Sequence, residues 1–148
     1  MSTDNIDAWA STRNGEPKVG QSAQLSKHMT DRDVQLFYEI TGDSNPIHFS
    51  NEAAEASVFR TKIVQGGLIT GVFNAIVANQ LPGPGTVFLK VDWSFKKPVY
   101  IDERVTGYVT ITNVRRDKPI CEMTTIIKND AGDICLDGTA VTFTSGTG

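Results

Sequence analysis

Cysteine is scarce in this sequence and badly spaced for metal chemistry. Cys121 and Cys135 are the only two among 148 residues, and two isolated thiols suit a reducing cytoplasm better than a disulfide scaffold. Histidine is equally scarce. His28 and His48 stand far apart with no ligand cluster around either, so no metal site is expected. Long hydrophobic runs are missing too. The longest, near residues 67–78, is too short and too interrupted to span a bilayer. Met1 to Gly20 has no apolar core and carries Asp4, Asp7 and Glu16, unlike a secretory signal. An excess of one charge is also lacking. Fourteen Lys and Arg against 17 Asp and Glu leave a net charge of −3, which gives no reason to expect nucleic acid or an anionic membrane as partner. There is no internal repeat and no low-complexity segment.

What is present is enough for one core. At 39% hydrophobic, the chain supports a single domain. Residues 1–17 are small and polar and read as a flexible leader, with Trp9 pinning it to the surface at most; residues 18–148 form the domain. Val19 to Lys27 fits a first strand, with Ala23 and Leu25 inward. Thr30 caps a short helix whose first turn holds Asp31 and Asp33, and whose Val34, Phe37, Tyr38 and Thr41 share a face. Ser50 caps a second short helix through Ala56. The main helix, roughly Gly67 to Leu81, is apolar around nearly its whole circumference and is therefore buried on most sides. Pro82 and Gly83 end it.

After the main helix the period changes to two. Val87, Leu89, Val91, Trp93 and Phe95 alternate with Phe88, Lys90, Asp92 and Ser94. Val105 to Ile111 and Cys121 to Ile127 alternate likewise, and a paler strand runs from Ile134 to Phe143. Turns at Arg115–Pro119 and Asn129–Asp133 predict an antiparallel meander. One buried helix followed by such a sheet predicts an α+β hot-dog fold, the sheet wrapped around the helix. A single sheet of this kind leaves an edge strand open, so a homodimer or an assembly of dimers is expected.

The chemistry concentrates between Tyr38 and His48. Gly42 suits the left-handed residue that ends a helix. Asn45-Pro46 forces an extended or turn conformation, because the proline ring clashes with a helical residue before it. The result is a rigid loop with Asp43 at its start and His48 at its end, the preorganisation a proton-transfer pair requires. Taken singly, each is an ordinary loop residue. Taken together, Tyr38, Ile40, Thr41, Gly42, Asp43, Asn45, Pro46, Ile47, His48 and Ala54 match a signature. The stretch resembles that of the (R)-specific enoyl-CoA hydratases, the MaoC-like group of hot-dog proteins, and the resemblance runs through most of the chain after about Thr30.

That resemblance implies reversible hydration of 2-enoyl thioesters to (3R)-3-hydroxyacyl thioesters, with coenzyme A as the substrate's handle and no cofactor. It places the catalytic pair at Asp43 and His48, with Asn45 supporting the loop or the water. The N–H of Gly66, at the start of the main helix, is the expected oxyanion donor. Two positions depart from the family pattern. Gln65 stands where relatives usually carry histidine, and Asn74 where some carry a serine that touches the dyad. Phe73 and Val77 are candidates to line an acyl tunnel, although an apolar helical stripe also reads as plain core. Arg60, Lys62, Lys96, Lys97, Arg115 and Arg116 are the cations available to the phosphates of coenzyme A or a carrier-protein arm; each singly reads as a solvated charge. No Asp or Glu lies between Gly67 and Leu81, which argues against the thioesterases and other dehydratases that place a catalytic carboxylate there. A carrier-protein (3R)-hydroxyacyl dehydratase and a non-catalytic acyl-thioester-binding domain are the alternatives.

Overall fold

The computed structural model describes residues 7–148. Its elements follow in the order β1 (Ser22–His28), α1 (Asp31–Thr41), a 3-10 turn (Pro46–His48), α2 (Asn51–Ala56), α3 (Gly66–Asn79), β2 (Thr86–Phe95), β3 (Arg104–Val114), β4 (Ile120–Asn129) and β5 (Ile134–Thr144). The five strands make one antiparallel sheet in the order β1-β3-β4-β5-β2. Helix α3 packs on β1, β3 and β2. Because β1 and β2 are the two edges of the sheet, a helix that touches both must lie inside its curl. This is the hot-dog arrangement that the periodicity predicts.

Local chemistry sets the element ends. Thr30 caps α1 with a full capping box, its hydroxyl accepting from the Asp33 N–H while the Asp33 carboxylate accepts from the Thr30 N–H. Gly42 closes the same helix at φ 79°, its N–H donating to the Tyr38 carbonyl at 2.7 Å. The core centres on α3. Val72, Phe73, Ile76 and Val77 are at most 5% exposed, and they face Val105, Val109, Ile111, Met123 and Ile127, all at most 1% exposed. The inward alternation expected for β3 and β4 holds throughout.

Two expectations fail for physical reasons. The leader expected over residues 1–17 does not run loose where it is described. Trp9 is wholly buried in the core cluster, and its indole N–H donates to the Arg115 carbonyl at 2.8 Å. A buried indole contributes a large apolar area and needs one acceptor, and both conditions are met here. Residues 1–6 of that leader lie outside the described residues. In β2, strict alternation puts Phe88 and Trp93 on opposite faces, yet their rings pack edge-on at 5.8 Å. The register shifts between Phe88 and Lys90. One extra residue inverts the parity of the strand, so Phe88 and Trp93 share a face.

Candidate active site

The loop between α1 and α2 is held by its own side chains, which accept from its backbone N–H groups. Thr41 Oγ1 accepts from the Asp43 N–H at 3.1 Å, and Asp43 Oδ1 accepts from the Asn45 N–H at 3.1 Å. Asn45 Oδ1 in turn accepts from the Ile47 N–H at 3.4 Å, leading into the 3-10 turn that begins at Pro46. Asn45 thus ties the loop to the turn that follows it. The turn drives His48 inward, leaving it 6% exposed. Its Nδ1 lies 2.6 Å from the Ile63 carbonyl oxygen. A carbonyl can only accept, so Nδ1 carries a proton, and Nε2 is the ring nitrogen left to exchange a proton with a bound molecule.

His48 lines a cavity of about 470 Å³ together with Gly66 at the start of α3 and the apolar Phe59, Ile69, Phe95 and Val99. The N-terminus of α3 enters this space without a cap. Gln65 occupies the cap position but makes no capping hydrogen bond, and no acidic residue lies in the first turn. The first N–H groups of a helix have no partner within it and carry its positive dipole end. A base and a set of anion-ready donors therefore share one apolar cavity. Gly66 also has a packing reason. A Cβ there would come within 2.9 Å of the Phe95 ring, so only glycine lets that ring close over the helix end.

The remaining candidates fall in different places. Asp43 is half-buried, does not line the cavity, and forms no hydrogen bond or ion pair with His48 among the described residues. Asn74 is exposed on α3 and has no hydrogen-bond partner among the described residues, so within one chain it does not support the site. Phe73 and Val77 lie deeper, in the core cluster. They are 0% and 1% exposed, and neither lines the His48 cavity. Phe73 packs on Trp93 with ring centroids 5.3 Å apart, as core. Ile69, one turn nearer the helix start, is the α3 side chain that reaches the cavity. Gln65 is 2% exposed. Its Nε2 donates to the Val34 carbonyl at 3.1 Å, tying α3 to α1, while its Oε1 is buried without a partner.

Sequence reasoning missed the Ile63 carbonyl and the Phe95 wall, since both reach the site through tertiary contacts. It did single out Lys96 and Lys97, which line the cavity, whereas Arg115 is paired with Asp117 and Arg116 lies 3.8 Å from Glu16. The cysteines offer no competing nucleophile. Both are free and buried, and burial pushes each thiol above its ordinary pKa. No group of three or more potential ligands could hold a metal ion among the described residues.

Fold and cavity together define a hot-dog domain with a buried histidine and an uncapped helix end sharing one cavity. The family model described as "MaoC like domain" matches residues 13–131, and the chain belongs to that family. It is 38% identical to the (R)-specific enoyl-CoA hydratase of Aeromonas caviae over 84% of this chain and 92% of that protein. The solved structure of the A. caviae (R)-hydratase superposes with a TM-score of 0.83, covering 87% of this chain and 98% of that one at 36% identity. An (R)-specific enoyl-CoA hydratase of Rhodospirillum rubrum is 34% identical over 88% of this chain and 90% of its own length. A mitochondrial 3-hydroxyacyl-[acyl-carrier-protein] dehydratase of Solanum lycopersicum is 30% identical over 95% of this chain and 85% of that protein.

Proposed function

We propose that the protein is a hydro-lyase, an (R)-specific enoyl-CoA hydratase that adds water across trans-2-enoyl-CoA to give (3R)-3-hydroxyacyl-CoA. The observation that carries this reading is the shared cavity, in which the free Nε2 of His48 and the uncapped α3 terminus at Gly66 flank one apolar space. In the reaction, His48 takes a proton from water as the oxygen attacks C3. The electron pair of the C2–C3 double bond moves into the C1–C2 bond, the carbonyl pair moves onto the thioester oxygen, and the Gly66 N–H holds that enolate. His48 then returns the proton to C2, so one water is consumed and no cofactor takes part; Asp43, at the other end of the loop, is the second acid–base group that the family signature supplies.

The working unit is a homodimer. Strand β2 is a free edge of the sheet, and Val87, Leu89, Val91 and Phe95 on it are 42–59% exposed, a surface that invites pairing with a second copy. Phe95 also lines the cavity, so that pairing would narrow its open side while leaving a mouth at Lys96. Among the described residues no helix is long and apolar enough to cross a membrane, and the two free thiols fit activity in the cytoplasm. The decisive experiment follows the conjugated thioester band of crotonyl-CoA, with chiral analysis of the product. Loss of the band and a (3R)-alcohol are expected. No turnover, or a (3S) product, would overturn the reading.

A further inference from the structure

The wall of the His48 cavity is apolar apart from His48 and two adjacent lysines, Lys96 and Lys97, which follow directly on the end of β2. Their backbone is fixed, because both N–H groups donate to the Cys135 carbonyl, at 2.8 Å and 3.2 Å. The side chains differ in freedom. Lys97 Nζ donates to Asp133 Oδ2 at 2.6 Å, a hydrogen bond that holds the lysine pKa up and the aspartate pKa down. This lysine is committed to the β4–β5 hairpin. Lys96 Nζ lies 4.0 Å from its nearest carboxylate oxygen, on Asp137, beyond hydrogen-bonding distance. With a side chain 53% exposed and no hydrogen bond to Nζ among the described residues, it offers a free ammonium on a fixed stem at the cavity's rim.

The substrate geometry gives that position a use. A thioester whose carbonyl meets Gly66 and whose double bond meets His48 has its reacting end inside the cavity. The handle attached to sulfur must then leave through the mouth. That handle is a phosphorylated pantetheine in both sources of acyl thioester, coenzyme A and a carrier-protein arm. The protein as a whole carries a net charge of −3, which repels such an anion. A local cation at the mouth offsets this where it matters.

We infer that Lys96 binds a phosphate of the phosphopantetheine-type handle, making it a substrate-binding and specificity-determining residue; this rests on the hydratase reading above. Three crotonyl thioesters test it: those of pantetheine, of 4′-phosphopantetheine and of coenzyme A, each turned over by the parent protein, Lys96→Gln and Lys96→Arg. Removing the charge should raise KM for phosphorylated substrates by about 5–20-fold, the weight of one half-exposed charge-assisted hydrogen bond. The KM for the pantetheine thioester and every kcat should hold, and Lys96→Arg should recover most of the loss. A rise with both phosphorylated substrates places the contact at the phosphate common to coenzyme A and the carrier arm. A rise with coenzyme A alone places it on the nucleotide end. An equal rise with all three thioesters, or no rise with any, overturns the inference. If the parent turns over none of them, the hydratase reading has failed, and calorimetry with free coenzyme A still decides on Lys96. Weaker binding by Lys96→Gln carries the inference, and unchanged or absent binding overturns it.

Discussion

Strands β4 and β2 carry the same alternation of apolar and polar residues, yet they meet opposite fates. In β4, Cys121, Met123, Thr125 and Ile127 are all at most 1% exposed, because β3 and β5 flank the strand and α3 lies beneath the sheet. In β2, Val87, Leu89, Val91 and Phe95 remain 42–59% exposed, because the strand has a neighbour on one side only. The signature loop repeats the contrast at its two ends. His48 is buried against the Ile63 carbonyl, while Asp43 stays half-buried and outside the cavity. A single chain completes one side of the site and leaves the other open. Identical local patterns therefore report propensity, and the number of neighbours decides burial.

The largest expected effect tests whether both loop ends belong to one site. His48→Gln and Asp43→Asn should each lower turnover of crotonyl-CoA by about 10²–10⁴-fold, the usual weight of one positioned acid–base group. The double variant should lose little more than the worse single, because groups acting as a unit fail together. Wild-type-like turnover by a folded Asp43→Asn would remove that residue from the mechanism and leave His48 alone.

Stability measures the contrast between core and edge. Phe73→Ala empties a fully buried site and should cost about 3–5 kcal/mol in denaturant unfolding. Val91→Ala, on the edge strand, should stay within about 0.5 kcal/mol when measured at a concentration that keeps the chain monomeric. A larger cost there would mean that β2 is already covered within one chain. Leu89→Lys then tests the covering itself. It should leave the fold intact and shift sedimentation of the parent dimer to monomer. A parent that is monomeric at micromolar concentration would break the proposed pairing.

A modest effect of another kind lies in α1. Burial raises the Asp33 carboxyl pKa, but hydrogen bonds from Thr30 and the neighbouring Lys27 outweigh it and leave the pKa below 3.8. A folded-state pKa below the unfolded one adds stability above the unfolded pKa, and that stability is lost as pH falls through the folded value. Asp33→Asn should cost about 1 kcal/mol at neutral pH, typical of a lost cap. The gap between the two proteins should close as the pH falls below 3.8. A gap independent of pH would assign the cost to packing instead.

Much of this was legible in the residues. The capping box at Thr30, the left-handed Gly42, the turn at Asn45-Pro46 and the burial of α3 are local events written in side-chain chemistry within a few positions. So was the inward face of β3 and β4, since both strands lie inside the sheet. The fate of Trp9 was not legible, because a tryptophan in a polar stretch is buried only if a distant surface accepts it, here with the Arg115 carbonyl. Nor was the parity of β2, since a bulge at Leu89 shows itself only in the pairing with β5.

Short-range properties of the chain, its periodicity, caps and rigid turn, were enough for the class of fold and the family signature. Tertiary structure alone decided which nitrogen of His48 is free, since the Ile63 carbonyl that takes the other lies fifteen residues away. It also decided that Ile69 rather than Phe73 or Val77 faces the cavity, and that Lys96 is free while Lys97 is tied to Asp133. Each of those outcomes depends on which distant groups the curl of the sheet brings within a few ångströms, and no local pattern encodes that distance.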